Sequence, residues 1–358
     1  MPLMLDRAWM EVDLAALIAN ATAVGERTGA ALLPMVKADA YGLGAEAVTA
    51  ALELLQPWGY GVATIDEGEA LRRAGITRPI VVFTPLLPSE LSAAHAARLT
   101  PTLGSRKAIE DWAMYGSPYH LSIDTGMCRA GLSWREAASL RDLLLRYPPE
   151  GAFTHFHSAG LNDSTMDEQE LRFRTVLEEL PIQPSVLHAE ASAAIERRER
   201  SCWTVVRPGV FLYGAGSGPG ATLVPQTVVH IRARVVETRW VEPGDTVSYD
   251  ATWTAPTARL IATIPMGYGD GYPRALSNVG SGIVRGRRAP IAGRVTMDMI
   301  MLDVTDSGCD VGDVVTMMGS SSDGGDRLSV TDVASLAGMS YYELLTGLRG
   351  RLRRVYTQ

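Results

Sequence analysis

The sequence predicts an α/β protein: a (β/α)8 TIM barrel over residues 10–222, followed by a mainly β C-terminal domain over residues 223–358, on which roughly the first nine residues pack. Three observations carry this. Up to about residue 200, apolar runs of strand length alternate with helical segments, the rhythm of a parallel sheet. About eight such units share some 220 residues, which favours a closed barrel over an open doubly wound sheet. Beyond the glycine-rich connector 214–220, β-branched runs broken by turn signals replace that rhythm.

Taken in order, 9–12 reads as a short strand. Asp13 caps the apolar-periodic run 14–27, which stops at Gly29. Barrel strands are expected at 31–36, 60–64, 79–83, 120–123, 152–155, 186–189 and 203–206, with a weaker eighth at 99–102. Helices lie between them, for example at 45–55, 134–145 and 166–180. In the second domain, Glu242-Pro243-Gly244-Asp245, Tyr268-Gly269-Asp270-Gly271 and Asp306-Ser307-Gly308 punctuate short strands. The polar stretch 320–326 reads as a mobile loop, and helical patterns at 331–337 and 341–348 end the chain.

The 358 residues are 46% hydrophobic and 20% charged, an ordinary folded composition. The net charge of -7 and the short arginine run at 349–354 give no nucleic-acid footprint. Cys128, Cys202 and Cys309 have neither disulfide nor metal spacing, so no metal is expected and a reducing compartment fits. No run approaches the roughly 18 apolar residues of a membrane span. Residues 1–6 lack a basic start and an apolar run of signal length. The expected location is the cytoplasm.

Chemistry concentrates where barrel strands end, the face that carries active sites in this architecture. Lys37 closes the run 31–36 and is followed at once by a glycine-rich turn. Two readings stand for it: an ammonium that snorkels to the surface, or an amine whose pKa is lowered by burial so that it forms a Schiff base. Asp124, Met127 and Arg129 follow the strand ending at 123. His155, Ser192 and Arg207 each end or follow another. Polar residues at strand ends are common singly; so many on one rim are not.

With those residues in view, the chain resembles the alanine racemase family over nearly its whole length. The resemblance rests on Val36-Lys37-Ala38-Asp39-Ala40-Tyr41-Gly42, Asp124-Thr125-Gly126-Met127 with Arg129, Thr154-His155-Phe156, Ala191-Ser192-Ala193-Ala194, Arg207-Pro208-Gly209, Val247-Ser248-Tyr249, Gly267-Tyr268-Gly269-Asp270-Gly271, Gly293-Arg294 with Met297-Asp298, and Tyr342-Glu343. It implies pyridoxal 5'-phosphate as cofactor, held by Lys37, and interconversion of L- and D-alanine that supplies D-alanine for peptidoglycan. Lys37 and Tyr249 resemble the two bases that serve opposite faces of the substrate α-carbon. A tyrosine of ordinary pKa ~10 is a poor base, and in the family a histidine and an arginine, here His155 and Arg207, poise it. Arg207 resembles the arginine facing the pyridine nitrogen, which it leaves unprotonated because a guanidinium keeps its own proton.

The resemblance places the cofactor phosphate on Tyr41, Ser192, Tyr342 and the backbone at Gly209 and Val210. It places the substrate carboxylate on Arg129 and the Met297 amide. Tyr268 and Arg274 narrow the entrance, and Asp298 is a neighbour of the site. In the family the residues that Tyr249, Tyr268, Met297 and Asp298 resemble come from a second subunit, so the resemblance implies a head-to-tail homodimer with composite sites.

Four positions depart from the family pattern. Ser122 stands where many members have a lysine that braces the arginine at position 129, Asp39 replaces a common asparagine, and His157 and Gly160 replace a small residue and an aspartate. These departures leave open a broader substrate range that includes serine. Two other readings are a basic amino-acid decarboxylase and a non-catalytic cofactor-carrying regulator. Arg207 and the poor surroundings of Cys309 argue against the first, and the second domain with Tyr249 against the other.

Overall fold

The computed structural model describes residues 6–358 apart from 162, 217, 219 and 349. The expectations for residues 1–5, for Ser217 and Pro219 in the connector, and for Arg349 in the arginine run lie outside the described residues.

Six strands pair in parallel in chain order: Tyr60–Val62, Ile80–Val82, Thr100–Leu103, His120–Asp124, Gly151–Phe153 and Val186–His188. Val205–Val206 pairs in parallel with Ala31–Leu32. Two single bridges, Met35 with Gly61 and Ala191 with Arg207, join this pair to the two edges of the six. The eight strands therefore close into one barrel. All three residues of Ile80–Val82 are wholly buried, as expected of parallel strands covered on both faces. The weakest of the expected strands, at 99–102, is present as Thr100–Leu103.

The helices obey their local signals. Asp13 accepts from the Ala16 amide at 2.8 Å and caps Leu14–Thr28, which ends on Gly29 at φ 64°. Ala45–Leu52 and Thr165–Glu179 lie where helices were expected. The segment expected to be helical at 134–145 is a 3-10 turn, Ala137–Leu140, running into the short helix Arg141–Arg146.

The strand Ala8–Asp13 belongs to the second domain. It lies between Val229–Arg234, antiparallel, and Arg353–Thr357, parallel. The division expected at residue 10 thus falls inside this strand. Antiparallel Val314–Ser320, Ser281–Val284 and Arg287–Pro290 extend the sheet. A second sheet holds Glu237–Val241, Arg259–Ile264 and Ile300–Asp303. The stretch 320–326 closes a short hairpin to Arg327–Leu328, with Asp326 ion-paired to Arg288. No helix of the described residues is long and apolar enough to cross a membrane.

Candidate active site

The C-terminal ends of the barrel strands enclose a cavity of about 670 Å³. Lys37, Tyr41, Arg129, His155, Ser192, Arg207, Gly209, Val210 and Tyr342 all line it. Its size and its mix of apolar wall and few convergent polar groups are those of a small-molecule site.

The strand expected at 31–36 is paired only over Ala31–Leu32 and again at the Met35 bridge, and Lys37 stands two residues past that bridge, where a left-handed turn begins. Ala38, Asp39, Ala40 and Tyr41 all lie near φ 55°, the first three with ψ near 50°, ahead of Gly42 at φ 88°. Left-handed backbone costs an L-residue roughly 1–2 kcal/mol, so four in succession need support. Glu67 supplies part of it, accepting from the Ala38 amide through Oε1 and the Ala63 amide through Oε2, each at 2.7 Å. Asp39 accepts from the Ala45 amide at 2.8 Å through Oδ1 and pairs through Oδ2 with Arg354 at 2.9 Å. Both contacts need an acceptor, which accounts for aspartate at this position rather than asparagine. Arg354 also donates to the Gly42 carbonyl, and Tyr356 to that of Leu43. The last strand of the second domain therefore clamps the turn. Burial and then Arg129 lower the Lys37 pKa, and Glu67 opposes them.

Arg207 is almost wholly buried. It donates from Nη1 to His188 Nδ1 at 2.7 Å, and from Nη2 to the Thr154 carbonyl at 2.9 Å, the Ala189 carbonyl at 3.0 Å and His155 Nδ1 at 3.2 Å. Among the described residues nothing accepts from its Nε, which leaves that donor free for a ligand. Burial disfavours the guanidinium charge, and Glu190 favours it. Because Arg207 is the donor to His155 Nδ1, neutral His155 carries its proton on Nε2. Burial, reinforced by Arg207, Arg129 and Lys37, pushes the His155 pKa down to about 3.

Elsewhere on the wall, Ser192 Oγ accepts from the Gly209 and Phe211 amides at 3.0 and 3.3 Å, leaving its hydroxyl proton to donate. The Gly209 amide, expected to meet a phosphate, is thus taken up by Ser192; the Val210 amide has no partner among the described residues. A Cβ at Gly209 would come within 2.7 Å of Tyr41 Oη, so glycine lets the phenol in. Burial raises the pKa of Tyr41 and of Tyr342, which keeps both phenols as neutral donors.

Arg129 is exposed at the cavity edge and has no side-chain partner among the described residues. Ser122 lines the cavity but makes no hydrogen bond to it. His157 and Gly160 also line the wall; His157 Nδ1 lies 2.6 Å from Ser158 Oγ.

The remaining expected residues are absent from the cavity lining and gather on the second domain. Tyr249 is 71% exposed on a 3-10 turn, not packed in a strand. Ser248, Asp250 and Ala251 around it all have positive φ, a backbone state that L-residues hold only under constraint. The constraint comes from Ser248, which donates to the Arg294 carbonyl at 2.8 Å, and from Asp250, which pairs with Arg294 at 3.4 Å. The Tyr268 amide donates to the Thr296 carbonyl at 3.0 Å and the Gly269 amide to that of Met297 at 2.9 Å, which holds the two segments together, and Arg351 links Asp270 to Asp298. Met297, Asp298 and Arg274 are exposed nearby in the fold.

Sequence reading missed His188, His120 and Glu67. Both histidines belong to runs correctly expected as strands, His120 opening one and His188 closing the other, and an imidazole in a buried strand was the available signal. Among the described residues, no group of His, Cys, Asp or Glu could hold a metal ion.

The profile of the alanine racemase N-terminal domain matches residues 12–217, and that of the alanine racemase C-terminal domain matches residues 228–356. An alanine racemase of Geobacter sp. strain M21 is 39% identical over 97% of this chain and 98% of its own. The alanine racemase structure from Bacillus anthracis with bound L-Ala-P superposes with a TM-score of 0.90, at 30% identity, over 100% of this chain and 96% of that one. That from Bartonella henselae, with covalently bound pyridoxal phosphate, does so with a TM-score of 0.90, at 27% identity, over 98% of this chain and all of the other.

Proposed function

Since the chain belongs to the alanine racemase family and is an amino-acid isomerase, we propose that it interconverts L- and D-alanine with pyridoxal 5'-phosphate held in the barrel cavity. The observation that carries the cofactor assignment is that three matching ends share one cavity. Lys37 offers an amine of lowered pKa for the aldehyde. Arg207 offers a free Nε–H for the ring nitrogen. Ser192, two neutral phenols and the open Val210 amide offer donors for the phosphate. The donor set fits the group. When bound, that cofactor supplies an electron sink that makes the substrate α-C–H acidic.

The chain's own residues do the rest. Arg129, without a side-chain partner, binds the substrate carboxylate through its planar fork. Lys37 Nζ takes or returns the α-proton on one face. Tyr249 Oη of the partner subunit serves the other, with His155 Nε2–H as the donor that steadies its oxygen. Arg207, a donor that does not give up its proton, keeps the ring nitrogen unprotonated. By keeping that nitrogen unprotonated, Arg207 would weaken the electron sink and so favour proton return over transamination or decarboxylation. Tyr249 is exposed and lies outside its own subunit's cavity, which suits delivery into a neighbour's site in a head-to-tail homodimer; Met297, Tyr268, Arg274 and Asp298 travel with it. The enzyme works in the cytoplasm, and its D-alanine feeds peptidoglycan.

Incubating the protein and pyridoxal 5'-phosphate with a panel of L-amino acids, followed by chiral chromatography, tests this. D-alanine should form and exceed the turnover of serine and the other substrates. No D-alanine formed from L-alanine, with cofactor present, overturns it.

A further inference from the structure

Glu67 sits at the third position of the helix Ile65–Arg73, whose first turn is capped by Thr64. A glutamate there usually turns back on the amide of its own cap. Glu67 instead reaches out of its helix, to the amides of Ala63 and Ala38. The Ala63 amide lies just beyond strand Tyr60–Val62, and the Ala38 amide belongs to the peptide that leaves the Lys37 Cα. One carboxylate thus ties the second barrel strand to the root of the lysine, where the left-handed turn begins.

We propose that Glu67 is a positioning residue for Lys37: by holding the Ala38 and Ala63 amides on one carboxylate, it fixes the Lys37–Ala38 peptide and so places the amine in the cavity. The inference rests on the reading of Lys37 as the cofactor-bearing lysine. Two further features support it. Both oxygens are used, so a shorter or neutral side chain loses at least one contact. Backbone bonds also brace the turn, but among the described residues the other side chains that do so (those of Asp39, Arg354 and Tyr356) act downstream of Ala38, and Glu67 alone holds the Ala38 amide. Its negative charge favours the Lys37 ammonium, so removing it lowers the amine's pKa further and on its own would help attachment; a loss of aldehyde affinity in the variants therefore reports lost placement.

The experiment compares two ligands of the same shape. Pyridoxal 5'-phosphate needs a well-placed amine to attach; pyridoxine 5'-phosphate, which has no aldehyde, does not. Glu67→Ala and the nearly isosteric Glu67→Gln are titrated with each ligand by fluorescence, with circular dichroism as the check on folding. Wild-type protein should bind both. The variants should lose about tenfold or more in affinity for the aldehyde, Glu67→Ala more than Glu67→Gln, while affinity for the alcohol changes by less than about twofold. Lysine-bound absorbance should fall with the aldehyde affinity. Equal losses for the two ligands would overturn the proposal in favour of general damage to the cavity, and no loss for either would overturn it outright. Failure of the wild type to bind pyridoxal 5'-phosphate at all would instead sink the cofactor assignment itself. If Glu67→Ala does not fold, Glu67→Gln decides alone.

Discussion

Arg207 donates from Nη1 to His188 Nδ1 at 2.7 Å, and this single contact sets the direction of a hydrogen-bonded chain through the barrel core. A guanidinium only donates, so His188 Nδ1 accepts and its proton sits on Nε2. That nitrogen lies 2.8 Å from His120 Nδ1, which must accept in turn. His120 therefore carries its proton on Nε2, 3.8 Å from Glu150 at the other end of the barrel. Replacing His188 by leucine removes the acceptor from a buried cation. The expected cost is about 1–3 kcal/mol, read as a lowered urea midpoint at unchanged slope. Racemisation should fall with it, because Arg207 loses the contact that orients its free Nε. His188→Asn, which can restore an acceptor, should recover part of both; equal loss in the two variants would refute the orientation argument.

The same chain makes the fold sensitive to acid. Burial is the main cause that pushes the pKa of His120 and of His155 down to about 3, and it holds His188 well below its ordinary value of 6.5. Well above pH 6.5, toward pH 8, these imidazoles are neutral folded and unfolded, and contribute no slope. Below it the unfolded chain binds protons that the folded chain refuses, so stability falls as pH falls. Each histidine adds up to about 1.4 kcal/mol per pH unit, so the three add about 4 at the steepest. Denaturation between pH 8 and pH 5 should show a plateau and then this decline, with a shallower decline in a His188→Leu background. A flat profile from pH 7 to pH 5 would contradict it.

The separation of Lys37 from Tyr249 in one subunit makes its own prediction. If sites are composite, Lys37→Ala and Tyr249→Phe are each inactive alone, because every site lacks one base. A mixed dimer holds one site with both bases intact. Random reassociation makes half the dimers mixed and restores about a quarter of wild-type activity. Mixing the two variants after reversible dissociation, with the chiral assay as readout, should show this recovery. Its absence, with exchange confirmed by mass, would place the second base within one subunit.

The barrel was legible because parallel strands bury both faces and leave uninterrupted apolar runs, such as Ile80–Val82, that periodicity finds. Lys37, Arg207 and His155 were legible because they break such runs at the end where the barrel carries chemistry. What escaped depends on distant partners. Nothing in Ala38-Asp39-Ala40-Tyr41 announces left-handed backbone, since alanine and tyrosine rarely adopt it. It is held there by Glu67 and Arg354, 29 residues and more than 300 residues from the amide and carbonyl they bind. Sheet membership of the first strand was likewise set by residues near the other end of the chain. Tyr249 could be singled out only by resemblance, because its neighbours read as an ordinary strand, whereas the fold puts it on an exposed turn.

Lys37 can be followed without any cofactor, because the sequence contains only two lysines, Lys37 and Lys107. Lys107 lies on the surface, paired with Asp111 at 2.9 Å, and serves as the internal reference for reagent exposure. Trace acetylation of the apoprotein across a pH series, quantified by peptide mass, gives the titration of the Lys37 amine irrespective of how freely the reagent reaches it. Burial and Arg129 lower its pKa, so the midpoint should fall below the ordinary 10.5. A lower pKa leaves more of the neutral, nucleophilic amine at pH 7, which is what cofactor attachment needs. Added pyridoxal 5'-phosphate should protect Lys37 and leave Lys107 labelled. In Arg129→Ala the midpoint should move back up, since a neighbouring cation that disfavours the ammonium has gone. A midpoint at or above 10.5 in the wild type, or protection of Lys107 in place of Lys37, would remove Lys37 from the role given to it.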